Sequence, residues 1–151
     1  MQALNLPSYD FKLNEQGGKK YIFDMWRKKW VVLTPEEWVR QHLLRFLSEE
    51  RNFPRLLLAV EKSLKFNSLQ KRCDIVAYSR QHRPLLLVEC KAPTVALKEA
   101  VFAQIAHYNF VLQVPYLLVS NGLEHYFCRV NYEKGKMEFA QELPFYTQLD
   151  P

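Results

Sequence analysis

Asp74, Glu89 and Lys91 are the residues whose types and spacing could carry chemistry. Glu89 and Lys91 follow Leu85-Leu86-Leu87-Val88, the most apolar stretch of the chain. Side chains alternate along a strand, so Leu85, Leu87, Glu89 and Lys91 share a face, with the last two about 7 Å apart. A charge at the end of so apolar a segment is costly unless it is paired or binds a metal. Asp74 begins the preceding apolar segment, fifteen residues earlier, and a hairpin of that size can bring its carboxylate beside Glu89. Adjacent carboxylates repel, and one takes up a proton unless a cation lies between them. With oxygen ligands the natural cation is a hard divalent ion such as Mg²⁺. Lys91 beside it can orient or help deprotonate a water and offset charge on a phosphorane-like transition state. The chemistry expected is metal-assisted phosphodiester hydrolysis.

The elements that must hold these groups are legible in outline. Thr34-Pro35-Glu36-Glu37 is a helix start, with Thr34 as cap, Pro35 in the first turn and Glu37 at the capping-box position. Val39, Leu43, Phe46 and Leu47 recur at helical spacing to about residue 50, and Phe53-Pro54 breaks the pattern. Strands are predicted over 56–66, 74–78 and 85–90, the last apolar on both faces as a central strand should be. A helix over 97–112 follows, then strands over 115–120 and 123–130 around the turn signal Asn121-Gly122. This order implies an α/β fold, a mixed sheet flanked by helices with an αβββαββ core. Ahead of it, residues 1–18 read as a loosely ordered arm, and 21–23 with 30–33 as an N-terminal strand pair. The expected division is 1–33 for arm and hairpin and 34–151 for the main domain, one compact domain in all.

In the second helix, Leu97, Val101, Ile105, Tyr108 and Leu112 form an apolar stripe at 100° per residue, with Gln104 inside it. A glutamine on a sheet-facing stripe needs a polar partner. Gln104 and Tyr108 are four apart, so the expectation is that both point toward the acidic site. Glu61 reads as an ordinary strand glutamate.

Composition sets the class. Across 151 residues, 48% are hydrophobic and only four are glycine, which fits a packed globular chain. No run has the roughly 20 apolar residues of a membrane-spanning helix, and no secretory signal is visible, so no membrane and a cytoplasmic location are expected. Cys73, Cys90 and Cys128 form no C-x-x-C pair, and His42, His82, His107 and His125 show no ligand spacing. The net charge of +5 favours polyanions. Lys19-Lys20, Arg27-Lys28-Lys29 and Lys71-Arg72 are read as solvated faces first and phosphate contacts second. Trp26, Trp30 and Trp38 are read as packing against the first helix, with stacking on unpaired bases as the lesser alternative.

Asp74, then Glu89-Cys90-Lys91, then Gln104-x-x-x-Tyr108, resembles the PD-(D/E)xK nuclease superfamily. The likeness is greatest to the N-terminal nuclease domain of type I restriction enzyme R subunits and their stand-alone relatives. Lys71-Arg72-Cys73-Asp74-Ile75-Val76, Val88-Glu89-Cys90-Lys91-Ala92-Pro93 and Tyr116-Leu117-Leu118-Val119-Ser120-Asn121-Gly122 read like that group, over about residues 34–126. Cys73 stands where the superfamily name has proline. The resemblance implies a restriction-endonuclease-like fold, DNA as substrate, and Mg²⁺ dependence, with Mn²⁺ as substitute. It also implies metal ligation by Asp74, Glu89 and the Cys90 backbone carbonyl, with Lys91 at the attacking water. A site glutamate near the start of the first helix is implied too: Glu36 matches best, Glu37 second. R subunits continue into a helicase motor, whereas no G-x-x-x-x-G-K-[ST] loop occurs here. A helicase or methyltransferase subunit is therefore an expected partner, and a homodimer is left open. The rival expectation is a non-catalytic nucleic-acid-binding or interaction subunit on the same fold.

Overall fold

In the computed structural model, which describes residues 1–151, the chain forms two sheets flanked by helices. The first is a three-stranded antiparallel meander of β1 (Leu13–Gln16), β2 (Lys19–Asp24) and β3 (Lys29–Val32). The expected strand pair is thus its second half. Residues 13–16 are exposed, and after Leu13 they are all polar, so they offer no alternating pattern to read.

Helix α1 (Pro35–Arg45) begins as its sequence predicts, with Thr34 Oγ1 accepting the Glu37 N–H at 3.0 Å. Only half of the capping box forms, because the Glu37 carboxylate turns to arginines instead of the cap backbone. A single π-helical turn, Phe46–Glu50, carries the helix on. A 3₁₀ turn at Arg55–Leu57 follows, where a strand was expected to have begun.

The second sheet has six strands in chain order: β4 (Leu58–Phe66), β5 (Leu69–Tyr78), β6 (Pro84–Cys90), β7 (Tyr116–Ser120), β8 (His125–Asn131) and β9 (Lys136–Ala140). Neighbours are antiparallel except β6 and β7, whose parallel pairing uses the crossover through helix α2 (Glu99–Leu112). The strand β9 and the short helix α3 (Tyr146–Leu149) extend the expected core. Asp74, expected to open a strand, lies in the middle of β5, since the polar residues before it continue the pairing with β4.

The sheet is buried from both sides. Ile75, Ala77, Leu86, Val88 and Leu118 pack with Val39, Leu43, Leu44 and Leu47 of the first helical segment. Val76, Leu87, Leu117 and Val119 pack with Ile105 and Ala106 of α2. Each such aliphatic side chain contributes on the order of 2 kcal/mol by leaving water. This explains why β6 carries apolar residues on both faces. No helix is long and apolar enough to cross a membrane.

The N-terminal arm is not loose. Leu4 and Leu6 pack on the α1-side core, and the Asn5 N–H donates to the Gly122 carbonyl at 2.8 Å. Trp38 Nε1–H donates to the Gln2 carbonyl at 2.8 Å, while Trp26 packs on the core and Trp30 stays exposed beside Phe23. Gly122 makes the docking possible: its φ is +87°, and a Cβ there would lie 2.7 Å from Leu4 Cδ2. Gly122→Ala is expected to lower unfolding free energy in urea by about 1–3 kcal/mol through strained backbone and displaced arm. Stability within about 0.5 kcal/mol of the parent would show that the arm does not press on this turn.

Candidate active site

The site forms where β5 separates from its neighbours. The β5–β6 ladder ends at Ile75 opposite Val88. One step further, Asp74 stands level with Glu89, and its Oδ2, instead of a backbone carbonyl, accepts the Cys90 N–H at 2.8 Å. On the β4 side, Val60 pairs with Ile75 and Lys62 with Cys73, leaving Glu61 between them level with Asp74. Glu61 has φ +51°, a left-handed backbone costing on the order of 1–3 kcal/mol that persists only where neighbours fix it. Glu61, Asp74 and Glu89 therefore stand abreast on three adjacent strands.

Glu89 is buried. Burial first, and then the charge of Asp74, push its carboxyl up to about 8, against the pull of Lys71 and Lys91; the two carboxyl groups also share a hydrogen bond. The Lys71 Nζ is 3.8 Å from Glu89 Oε1 and 4.9 Å from the Tyr108 ring centre, so Tyr108 reaches the site through a cation–π contact. Lys91 lies one residue beyond β6, where its N–H donates to Ser120 O at 2.8 Å and continues the parallel ladder. Its ammonium acts on both Glu89 and Glu36. Glu36 is half-buried, and its carboxyl is raised by burial and Asp74 against Arg40 and Lys91.

Arg40 closes the site from α1. Its Nη2 donates to Asp74 Oδ1 at 2.7 Å and to Glu36 Oε1 at 3.3 Å, while Nη1 donates to Glu37 Oε1 at 2.5 Å. Burial opposes its charge, but the hydrogen bond to Asp74 and the charges of Glu37 and Asp74 outweigh burial and hold it protonated. The network continues into the N-terminal sheet. Arg27 bonds Asp24 at 2.5 Å, Glu37 at 2.7 Å and Glu61 at 3.2 Å, and the buried Gln41 amide donates to Asp24 and Glu37, each at 3.0 Å. Arg72 pairs with Glu61 at 2.7 Å.

Asp74, Glu89, Lys91 and Glu36 thus converge, and Cys90 joins them through its N–H on Asp74. Glu37 also reaches the centre, but as the fully engaged partner of two arginines. Gln104 does not converge. It is exposed, because the buried face of α2 centres on Ile105, Ala106 and Asn109, turned away from the stripe the sequence suggests. Two small or polar residues, Ala106 and Asn109, fill that face and hid it from an apolar count. Asn109 is buried because its amide donates to the Val114 carbonyl at 3.1 Å. Sequence reasoning also missed Arg40, Arg27, Asp24 and the engagement of Glu61. The one available signal was Arg40 itself, a charge three and four residues after two glutamates and next to buried Val39.

The three thiols stay out of the chemistry. Burial pushes Cys73 and Cys128 up to about 12 and Cys90 well up, so none is a ready nucleophile. No group of three or more His, Cys, Asp or Glu side chains is placed to hold a metal ion. The centre offers two carboxyl groups in contact, one carrying a raised pKa, which suits a hard ion that takes one or two protein carboxylates and keeps water on its remaining positions.

No curated protein matches the chain. Among solved structures, a fragment assigned as an HsdR subunit of a type I restriction enzyme from Vibrio vulnificus YJ016 is similar, with a TM-score of 0.53 and 18% identity. The likeness, one of fold, covers 78% of this chain and 24% of that one, so the chain spans about a quarter of that fragment's length. The family model described as Type I restriction enzyme R protein N terminus (HSDR_N) matches residues 35–144, well over half of the chain and every strand of the six-stranded sheet. With the Asp74–Glu89 centre inside the matched segment, the chain belongs to the family of type I restriction enzyme R protein N-terminal domains.

Proposed function

We propose that this chain is a Mg²⁺-dependent DNA endonuclease domain that hydrolyses phosphodiester bonds, with Mn²⁺ able to substitute. The observation that carries the reading is the meeting of Asp74 and Glu89 with the Lys91 charge alongside. Asp74, Glu89 and the Cys90 carbonyl would hold the ion. A bound divalent ion supplies Lewis acidity and a more acidic water. Glu89 would hold the ion as a carboxylate, its proton released to solvent. Lys91 orients the attacking water and offsets the charge that develops on the phosphate. Asp74 keeps its geometry through the Cys90 N–H and Arg40. Gln104, exposed on α2, is free to touch the DNA beside Tyr108. The net charge of +5 favours a polyanionic substrate, and a helicase or methyltransferase subunit is the proposed partner in a restriction assembly.

A second reading, a non-catalytic nucleic-acid-binding or interaction subunit, is favoured by one observation. Both oxygens of Asp74 already accept hydrogen bonds, from Arg40 and from Cys90. Salt-sensitive DNA binding without metal-dependent turnover would select it.

Cleavage of plasmid or branched DNA in Mg²⁺ or Mn²⁺ tests the first reading. Lys91→Ala is expected to reduce the rate by about 100-fold or more while leaving the fold intact. Unchanged cleavage in that variant would exclude the assigned mechanism.

The raised Glu89 carboxyl gives an independent test. Its folded pKa of about 8 exceeds its ordinary 4.5, so the folded state binds the proton more tightly. The stability this contributes is present at low pH and is lost as pH rises from about 4.5 through about 8. Metal-free protein is expected to melt at lower temperature at pH 8.5 than at pH 6. Mg²⁺ should raise the melting temperature more at the higher pH, where no proton must be displaced. Glu89→Gln should flatten both trends, and a metal-free profile identical to that of the variant would refute the assignment.

A further inference from the structure

Arg40 fills the space between two carboxylates at the centre. Its Nη2 lies between Asp74 Oδ1 at 2.7 Å and Glu36 Oε1 at 3.3 Å, bridging the two carboxylates that could share a cation on the α1 side of Asp74. The guanidinium is buried, its Nη1 is fixed by Glu37 at 2.5 Å, and Glu37 is in turn fixed by Arg27 and Gln41. Rotating Arg40 away would leave the buried Glu37 carboxylate short of a cation, a loss of several kcal/mol.

We infer that the Arg40 guanidinium is a resident cation that replaces a second metal ion, so that the centre takes a single divalent ion on the Glu89 side of Asp74. The inference rests on the metal-dependent reading above and fixes its stoichiometry. Arg40 already supplies the positive charge that Asp74 and Glu36 share on the α1 side, and a second ion placed there would stand against a buried guanidinium. Glu36 on this view is a partner of Arg40 and not a metal ligand.

Mn²⁺ titrated into the full chain, with free Mn²⁺ counted by electron paramagnetic resonance, tests this without any cleavage assay. The unaltered protein is expected to bind one equivalent. Glu36→Gln should still bind one, with the midpoint changed by less than about threefold. The Glu36 side chain is 47% exposed, so this variant keeps the fold. Folded Arg40→Gln should take up a second equivalent. Two equivalents in the unaltered protein, a tenfold or greater loss of affinity in Glu36→Gln, or folded Arg40→Gln remaining at one would each overturn the inference while leaving the metal-dependent reading standing. No bound Mn²⁺ in the unaltered protein would overturn both.

Discussion

The Asp74 carboxylate takes the place of a backbone group in the β5–β6 ladder, and the rest of the centre follows from that one substitution. By accepting the Cys90 N–H, it satisfies a donor that the parting strands would otherwise orphan. It also occupies a position from which it meets Glu89 on one side and Arg40 on the other. Both oxygens are fixed, one by backbone and one by a guanidinium, and each keeps a lone pair for a further partner. A carboxylate held this way is fixed in place with little freedom to reorganise.

The network around Asp74 is more charged than a stability argument would recommend. Buried ion pairs rarely repay their desolvation, and apolar replacements are often as stable. What such a network does provide is geometry: removing any one member leaves a buried charge without its partner. Here the members come from β2, the following turn, α1, β4, β5 and β6, so the network fixes the relative placement of the three-stranded sheet, the first helix and the main sheet. The segment shared with the restriction-subunit family begins at residue 35, yet Asp24 and Arg27 lie before it. The hairpin thus reaches the family-matched segment through its charges as well as through the apolar packing of Trp26.

Two of the basic clusters in the sequence illustrate how charge alone misleads. Arg27, Lys71 and Arg72 could be solvated or could contact phosphate; the fold directs Arg27 and Lys71 toward buried carboxylates, while Arg72 stays exposed and pairs with the part-exposed Glu61. Lys19, Lys20, Lys28 and Lys29 remain exposed. Net charge reports the number of cations, whereas the positions of the carboxylates decide which cations remain available to a polyanion.

The amino-acid sequence by itself determined most of the core elements and the acidic pair. Short continuous apolar runs mark the central strands, Thr34-Pro35 starts the helix, and Asn121-Gly122 makes the turn, because each depends on residues close in the chain. Asp74, Glu89 and Lys91 were legible because charge at the end of an apolar strand is expensive and demands an explanation. The tertiary structure alone decided the rest. Which way Gln104 points depends on the rotation of α2, set by the fit of Ala106 and Asn109 against the sheet and not by hydrophobicity. The docking of the arm depends on Gly122, more than a hundred residues away along the chain. The partners of Arg40 come from α1, β4 and β5, and those of Arg27 from β2, α1 and β4. Electrostatic pairing acts over a few ångströms in space with no period along the chain, so no spacing rule announces it.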